Sequence, residues 1–400
     1  MEEKGRKERK WERGERRKEK GERRKEKGER RKGGLVSEIF VYLRNRVCKF
    51  SGMKNTIYEK MGGDTAVEMK DDPVFGVIGG GSWATALVKL LTDNGRQLNW
   101  YMRDTGAIEH IERYHHHSKY LPAVELDADS FTITNDINYV VEESDILIFA
   151  IPSAYFLKEV SRITASYDGK LLISAVKGFV GDRYLTIAEY FHDDHSVPFD
   201  RIGVISGPCH AEEVGMQRLS YITLSSKYIE VAEYLCGFFR NYYVNTIACT
   251  DIYGVEYAAA LKNVYAIAAG VCYGCGYGDN FMAVLIASCF REMKEFINVT
   301  NPDTRRNTSM SAYLGDLLVT CNSPFSRNRN FGRMLGKGYS VQTAILEMSQ
   351  VAEGYYATKA IHEINRKFRV SMPIADTVYS ILYGRENAVE AMRALQDSLM

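Results

Sequence analysis

Lys262 lies in the run Ala258-Ala-Ala-Leu-Lys262-Asn263-Val-Tyr-Ala-Ile-Ala-Ala, with Ala258, Ala259, Tyr265 and Ala266 three and four residues away. On a helix those positions share its face. An ammonium on so small and apolar a surface loses water, which lowers its pKa toward neutrality. Such an amine can give or take a proton at a carbonyl oxygen. The competing reading is a lysine that lays its stem on a core helix and extends its head to water. Further along, Gly315-Asp316-Leu-Leu-Val-Thr320-Cys321 and Ser326-Arg327-Asn328-Arg329-Asn330 bring a carboxylate, hydroxyls, a guanidinium and amides close together in the chain. A guanidinium fork matches two phosphate oxygens, so the set suits a phosphate monoester, although alone it also reads as a charged loop.

A second constellation precedes these. Val74-Phe-Gly-Val-Ile-Gly79-Gly80-Gly81-Ser82-Trp83-Ala84 and the periodic residues after it give a β-branched run, a glycine turn and a helix. That order is the layout of a dinucleotide site: Gly79 permits the turn, Gly81 lets main chain approach a pyrophosphate, and the helix offers unpaired N–H groups. The next strand ends at Arg103-Asp104. Arg103 can meet a 2′-phosphate or stack on adenine, or it is a solvated strand-end charge; Asp104 keeps the unphosphorylated ribose open. Ser174-Ala175-Val176-Lys177-Gly178 ends another strand in a lysine. Ile205-Ser206-Gly207-Pro208-Cys209-His210-Ala211-Glu212-Glu213 reads as a strand entering a helix with Pro208 at its first position. That predicts free N–H groups at Gly207 and from Cys209 to Ala211 facing the cleft above the strand ends.

The elements that must position these groups follow from periodicity. Strands are predicted at Val74 to Ile78, Leu98 to Met102, Ile146 to Ile151, Leu171 to Val176, Ile202 to Ser206 and Tyr221 to Leu224, with helices between several of them. The alternation implies an α/β fold with a doubly wound, largely parallel sheet. Helices are predicted at Asp251 to Ala269, Asn280 to Asn298, Ser309 to Leu318, Ser340 to Ala357 and Ile374 to Leu382. The expected domains are a charged low-complexity leader over 1–72, a Rossmann-like dinucleotide-binding domain over 73–250 and an all-α substrate domain over 251–400.

Composition narrows the function classes. The 400 residues carry net charge +1, but residues 1–34 hold 17 Lys and Arg against 9 Glu, leaving the body mildly acidic. The leader repeats Gly-Glu-Arg-Arg-Lys-Glu-Lys from Gly14 and Gly21 without apolar positions, which predicts disorder rather than a coiled coil. Leu35 to Phe50 forms an amphipathic stretch suited to a membrane surface, or the whole leader is an extension of little function with the true start at Met53. No run reaches the roughly 18 apolar residues of a membrane span. Eight scattered cysteines favour reduced thiols and a cytoplasmic setting. Cys272-x-x-Cys275 lacks two further ligands for zinc. The adjacent His115, His116 and His117 cannot converge on one ion, so no metal is expected.

Taken jointly, Gly79-Gly-Gly-Ser-Trp-Ala-Thr-Ala-Leu, Ala175-Val-Lys-Gly, Ile205-Ser-Gly-Pro, Leu261-Lys-Asn-Val, Gly315-Asp-Leu and Ser326-Arg-Asn-Arg-Asn-Phe-Gly resemble the NAD(P)-dependent glycerol-3-phosphate dehydrogenases of the bacterial type, over about residues 73–390. The resemblance implies hydride transfer between NAD or NADP and dihydroxyacetone phosphate, giving sn-glycerol 3-phosphate for phospholipid synthesis. It implies Lys262 as proton-transfer group, with Lys177 and Asp316 fixing charge and orientation. Cofactor contacts are implied at Gly79, Gly81, Ser82, Trp83, Arg103, Tyr155, Lys177, Ala211, Arg327, Val351 and Glu353. Substrate contacts are implied at Lys177, Gly207, Cys209, Lys262, Asn263, Asp316, Thr320, Ser326, Arg327 and Asn328. Two departures stand out: Cys209 occupies a place more often Thr or Asn, and Ala84 replaces a glycine. The expected partner is a small phosphorylated substrate, without nucleic acid, and a homodimer is compatible. Two rivals share parts of the pattern. A β-hydroxyacid or ketopantoate-type reductase would share the first domain without needing the Ser326-Arg-Asn cluster. A non-catalytic NAD(P)-sensing protein would use the basic leader on nucleic acid or anionic lipid, with steep salt dependence.

Overall fold

A computed structural model describes residues 69–348 and 352–399. The leader repeats, the amphipathic stretch and Val351 lie outside the described residues. The eight strands are β1 (Phe75–Ile78), β2 (Leu98–Tyr101), β3 (Thr132–Thr134), β4 (Ile146–Phe149), β5 (Leu171–Ser174), β6 (Ile202–Ser206), β7 (Ser220–Ser225) and β8 (Val244–Cys249). They form one sheet in the order β3-β2-β1-β4-β5-β6-β7-β8. The first six are parallel, β7 pairs antiparallel with β6, and β8 runs parallel to β7.

Strands β1, β4 and β5 are buried at every position, as helices on both faces require. Alternate side chains serve opposite layers. Phe75, Val77, Ile146 and Ile148 enter one apolar core, and Ile78, Leu147 and Phe149 enter the other. All six predicted strands are present. The two that periodicity missed, β3 and β8, are the two edges of the sheet, where partial exposure interrupts the apolar run.

Past β8 the described chain is helical, and no described helix is long and apolar enough to cross a membrane. Helix Ile252–Gly274 buries 20 of its 23 residues, because its apolar residues surround the axis rather than forming a stripe. The predicted Ser309 to Leu318 helix divides into a π turn, Ser311–Gly315, and helix Asp316–Asn322. The predicted Ser340 to Ala357 helix is two helices, Val341–Glu347 and Glu353–Phe368. Helices Arg327–Gly336 and Ala388–Ser398 were not foreseen. Two buried carboxylates cap helices from a distance. Glu256 accepts from the amides of Ile187 and Ala188 at 3.2 and 3.4 Å, and Glu292 from those of Ile374 and Ala375 at 2.9 and 3.0 Å.

Helix Arg327–Gly336 lies against Ile252–Gly274 main chain to main chain. A Cβ on Gly332 would run into the Ile267 carbonyl, and one on Gly270 into the Arg329 carbonyl. Neither obstacle can rotate away. Gly332→Ala must therefore push the helices apart, and we expect a loss of about 1–3 kcal/mol, read as a lower thermal midpoint. An unchanged midpoint would refute the close approach.

Candidate active site

The turn between β1 and helix Ser82–Asp93 is held from the neighbouring strand. Gly79 N–H donates to the Tyr101 carbonyl at 3.0 Å, and Trp100 Nε1 donates to the Gly79 carbonyl at 2.7 Å. Gly79 has φ +138°, and a Cβ there would collide with the Ala150 carbonyl. Gly81 differs: its φ of −90° suits any residue, and a Cβ would meet nothing within 4 Å. Its glycine therefore serves something outside the chain's own packing. No side chain caps the helix it opens, so first-turn N–H groups remain for an anion.

These residues border a cleft of about 700 Å³ whose wall includes Gly79, Gly81, Ser82, Arg103, Tyr155, Arg327 and Glu353. A smaller space of about 160 Å³ shares Gly81, Ser82, Arg327 and Glu353, and adds Trp83, Lys177, Cys209, Ala211, Lys262, Asn263, Thr320, Ser326 and Asn328. Gly81 and Ser82 of the turn thus border both spaces. Of the expected site residues, Gly207 and Asp316 border neither space. Gly207 has φ +113° and shapes the turn after β6, while Asp316 lies behind Lys262.

Lys262 is 3% exposed and donates to Asp316 Oδ1, itself a residue with 2% exposure. Burial pushes the ammonium down to about 8, with the Lys177 charge adding to the fall and Asp316 opposing it. The Thr320 hydroxyl donates to the Asp316 carbonyl at 2.6 Å. At the other end of the same helix, Asp251 accepts from the Gly254 amide, from Arg306 and from the Tyr313 hydroxyl in the π turn. One carboxylate thus joins the start of the Lys262 helix to the turn that delivers Asp316.

The amides are oriented by their own bonds. Asn328 Nδ2 donates to Asn263 Oδ1 at 2.9 Å, and Asn328 Oδ1 accepts from the Gly354 amide at 2.8 Å. Their remaining capacity is mostly N–H, which suits an anion. Ser326 caps its helix by accepting from Arg329 N at 3.3 Å, and Arg327 donates to Ser82 Oγ. Lys177 Nζ stands 5.5 Å from the centre of the Trp83 ring, and Ser153 donates to Glu353 at 3.4 Å.

One local expectation changes, and two charges at the larger cleft gain protein partners. The helix after β6 begins at Ala211, not Pro208, because the Cys209 amide turns back to the Gly207 carbonyl at 2.9 Å and is not free. Arg103 stands at the cleft edge paired with Glu159 at 3.0 Å. Asp104 borders the larger cleft and also caps helix Thr105–Tyr114, accepting from Ala107 N at 3.2 Å. The residue pattern assigned no role to the rings of His117 and His210. His117 Nε2 lies 3.2 Å from the Gly80 carbonyl while its Nδ1 accepts from Lys119 and Tyr120 amides. His210 borders the smaller space. Both histidines stand inside motifs already singled out, so proximity in sequence was the available signal.

The residues fit a dinucleotide. Gly81 leaves open the volume a Cβ would fill, and Trp83 Nε1 is buried without a protein partner.

Comparisons with known proteins agree with this geometry. Residues 75–232 match the family model for the NAD-dependent glycerol-3-phosphate dehydrogenase N-terminus, and residues 251–393 match that for the C-terminus. The glycerol-3-phosphate dehydrogenase [NAD(P)+] of Bacillus subtilis is 36% identical over 326 residues, covering 80% of this chain and 93% of that one. The Bacillus velezensis protein of the same name is 35% identical over 324 residues, with the same coverage. Among solved structures, the Coxiella burnetii glycerol-3-phosphate dehydrogenase superposes with a TM-score of 0.74 at 26% identity, covering 82% of this chain and 99% of that one.

Because a Cβ on Gly81 would meet nothing within 4 Å, Gly81→Ala should fold with a loss of no more than about 1 kcal/mol. Dinucleotide affinity, followed by NADPH fluorescence titration, should fall by at least about tenfold. Undiminished binding would remove the turn from the cofactor site.

Proposed function

The chain belongs to the NAD-dependent glycerol-3-phosphate dehydrogenase family, and from that premise we propose how its residues divide the reaction. It is an NAD(P)-dependent oxidoreductase that reduces dihydroxyacetone phosphate to sn-glycerol 3-phosphate, a product that feeds glycerophospholipid synthesis. The observation that carries the assignment of roles is Lys262, buried on the wall of the smaller cleft with Asp316 behind it, in a space that Gly81 and Ser82 of the dinucleotide turn also border.

Bound NAD(P)H supplies the hydride. The glycine turn, Ser82, Trp83 and Ala211 hold that cofactor, with Arg103, Tyr155 and Glu353 along the larger cleft. Arg327, Asn328, Ser326 and the Asn263 amide take the substrate phosphate; fork geometry and convergent N–H groups support this. Thr320 and Cys209 shape the rest of the substrate pocket, and Gly207 sets the turn that places Cys209. Lys262 protonates the ketone oxygen as the carbon is reduced. Its lowered pKa lets it release the proton near neutrality, and Asp316 keeps enough charge on it to hold one. Lys177 adds positive charge beside the developing alkoxide.

The likeness to a ketopantoate reductase from Ralstonia eutropha, at 12% identity and a TM-score of 0.52, concerns the fold alone. A cytoplasmic setting is part of the proposal, supported by the free thiols of all seven described cysteines. A homodimer is the assembly we propose, to be read by analytical ultracentrifugation.

The assay is spectrophotometric: NADH or NADPH should be consumed on adding dihydroxyacetone phosphate, and constant absorbance at saturating substrate would refute the activity. The acid form of Lys262 serves reduction and the free amine serves oxidation. Thus kcat/KM for reduction should fall as pH rises through about 8, and that for oxidation should rise over the same interval. Lys262→Met should lower both by roughly 100- to 10,000-fold while cofactor affinity holds. Arg327→Ala should raise KM for dihydroxyacetone phosphate by on the order of tenfold to a hundredfold, and an unaffected KM would move the phosphate elsewhere.

A further inference from the structure

Four side chains meet at the edge of the larger cleft. Glu159 borders that cleft from helix Ser153–Val160, its side chain 8% exposed, and its two carboxylate oxygens are divided between partners. Oε2 accepts from the Tyr101 hydroxyl at 2.9 Å and from Arg162 at 3.1 Å, and Arg162 also donates to the Tyr101 oxygen at 2.7 Å. Oε1 accepts from Arg103 at 3.0 Å. Burial, then the bond to Glu159, pushes the Tyr101 phenol up to about 12, so it stays a donor.

The members of this group are not equally fixed. Tyr101 is buried on β2 and, with Arg162, holds Oε2, so the carboxylate keeps its place whatever Arg103 does. Arg103 is two-thirds exposed and, among the described residues, bonded through one nitrogen alone. It is the member free to turn. Just past the end of β2, it also stands where α/β dinucleotide sites receive the ribose 2′ position. A 2′-phosphate drawn to its guanidinium must either pull it off Oε1, leaving a shielded carboxylate with one partner fewer, or share it with that carboxylate at close range. A neutral 2′-hydroxyl meets neither cost.

The other charges on this wall do not reverse the balance. Asp104 borders the cleft beside Arg103 and adds a second negative charge, although its Oδ1 is engaged by Ala107 N. Lys119 opposes it, with Nζ 5.4 Å from the centre of the Tyr120 ring. Arg327 and Glu353 border both spaces and carry opposite signs. His117 is held below its usual imidazole value by burial and adds no cation.

Resting on the cofactor and reaction given above, we infer that Glu159 sets the choice between the two nicotinamide cofactors, by holding Arg103 in an ion pair that a 2′-phosphate must disrupt and a 2′-hydroxyl need not.

The test reads kcat/KM for NADPH and for NADH at saturating dihydroxyacetone phosphate. The wild type should use NADH at least as well as NADPH. Glu159→Gln should raise the NADPH to NADH ratio by about tenfold, with the gain in the KM for NADPH. Arg162→Met takes a counter-charge from a carboxylate that remains, and should move the ratio the other way. In an Arg103→Met background, Glu159→Gln should change the ratio by less than about threefold, because the effect passes through the arginine. A fall in the ratio on Glu159→Gln would make the carboxylate a holder of Arg103 for the phosphate and overturn the assignment. Equal changes with both cofactors, or a gain that survives Arg103→Met, would do the same. So would a wild type that prefers NADPH by more than about tenfold, a result that needs no variant to fold. A wild type inert with both cofactors would instead refute the dehydrogenase reading itself.

Discussion

Everything at the smaller cleft depends on two helices meeting without side chains between them. Gly270 and Gly332 bring main chain of Ile252–Gly274 against main chain of Arg327–Gly336, and this sets the distance between the two halves of the site. At that separation Asn263 and Asn328 can share a hydrogen bond. Gly354 continues the logic: a Cβ there would strike the Asn263 carbonyl, and its own amide completes Asn328. Three helices therefore converge on a pair of amides whose orientation their backbones dictate. Lys262, one residue before Asn263, and Arg327, one residue before Asn328, inherit that precision, which their proposed proton-transfer and phosphate-binding roles require.

Placing an ammonium in such a core costs solvation that only a nearby carboxylate offsets. Asp316 fulfils this need, but its position comes from an irregular element. The π turn at Ser311–Gly315 precedes it, and Tyr313 in that turn is bonded to Asp251, which caps the lysine helix. Arg306 grips the same carboxylate through two nitrogens. Both partners of the ion pair are thus referred to one buried network at the far end of the helix. A lengthened turn of this kind re-aims a side chain that regular α geometry would place elsewhere.

How much of this was legible in the chain follows from burial. Interior strands are covered on both faces and must be apolar throughout, so Phe75–Ile78 or Ile146–Phe149 can be read directly. Thr132–Thr134 and Val244–Cys249 form the edges, carry Thr and Asn, and give no such run. Helix Arg327–Gly336 was illegible for a different reason. Its sequence, Arg-Asn-Arg-Asn-Phe-Gly-Arg-Met-Leu-Gly, reads as a loop because its glycines pack against a neighbour and its polar groups face the site. Lys262 could be read because alanines at its flanks announce burial. Asp316 was placed beside it by the family resemblance and not by spacing, since the separation of 54 residues is closed only by the fold. His117 could be read only as one of three adjacent histidines that cannot share an ion, and neither its contact with the Gly80 carbonyl nor the place of His210 on the smaller space is encoded in residue spacing.

The departure at Cys209 clarifies how polarity is apportioned. Its thiol donates to the Gly207 carbonyl at 3.2 Å, so it is turned onto its own backbone rather than toward the cleft. Burial pushes the thiol up to about 11 despite the nearby Lys177 charge, which keeps it neutral. A side chain so engaged contributes volume and little hydrogen-bonding capacity, and recognition on that wall falls to its neighbours. Directly after it in the chain stands His210, whose imidazole is pushed down to about 4 by burial and by the Lys262 and Lys177 charges, and the same wall carries the carboxylates of Glu212 and Glu353. The pocket's chemistry therefore follows from which acceptors the protein has already used internally: Asn263 and Asn328 are left to present N–H, and Ser326 its O–H.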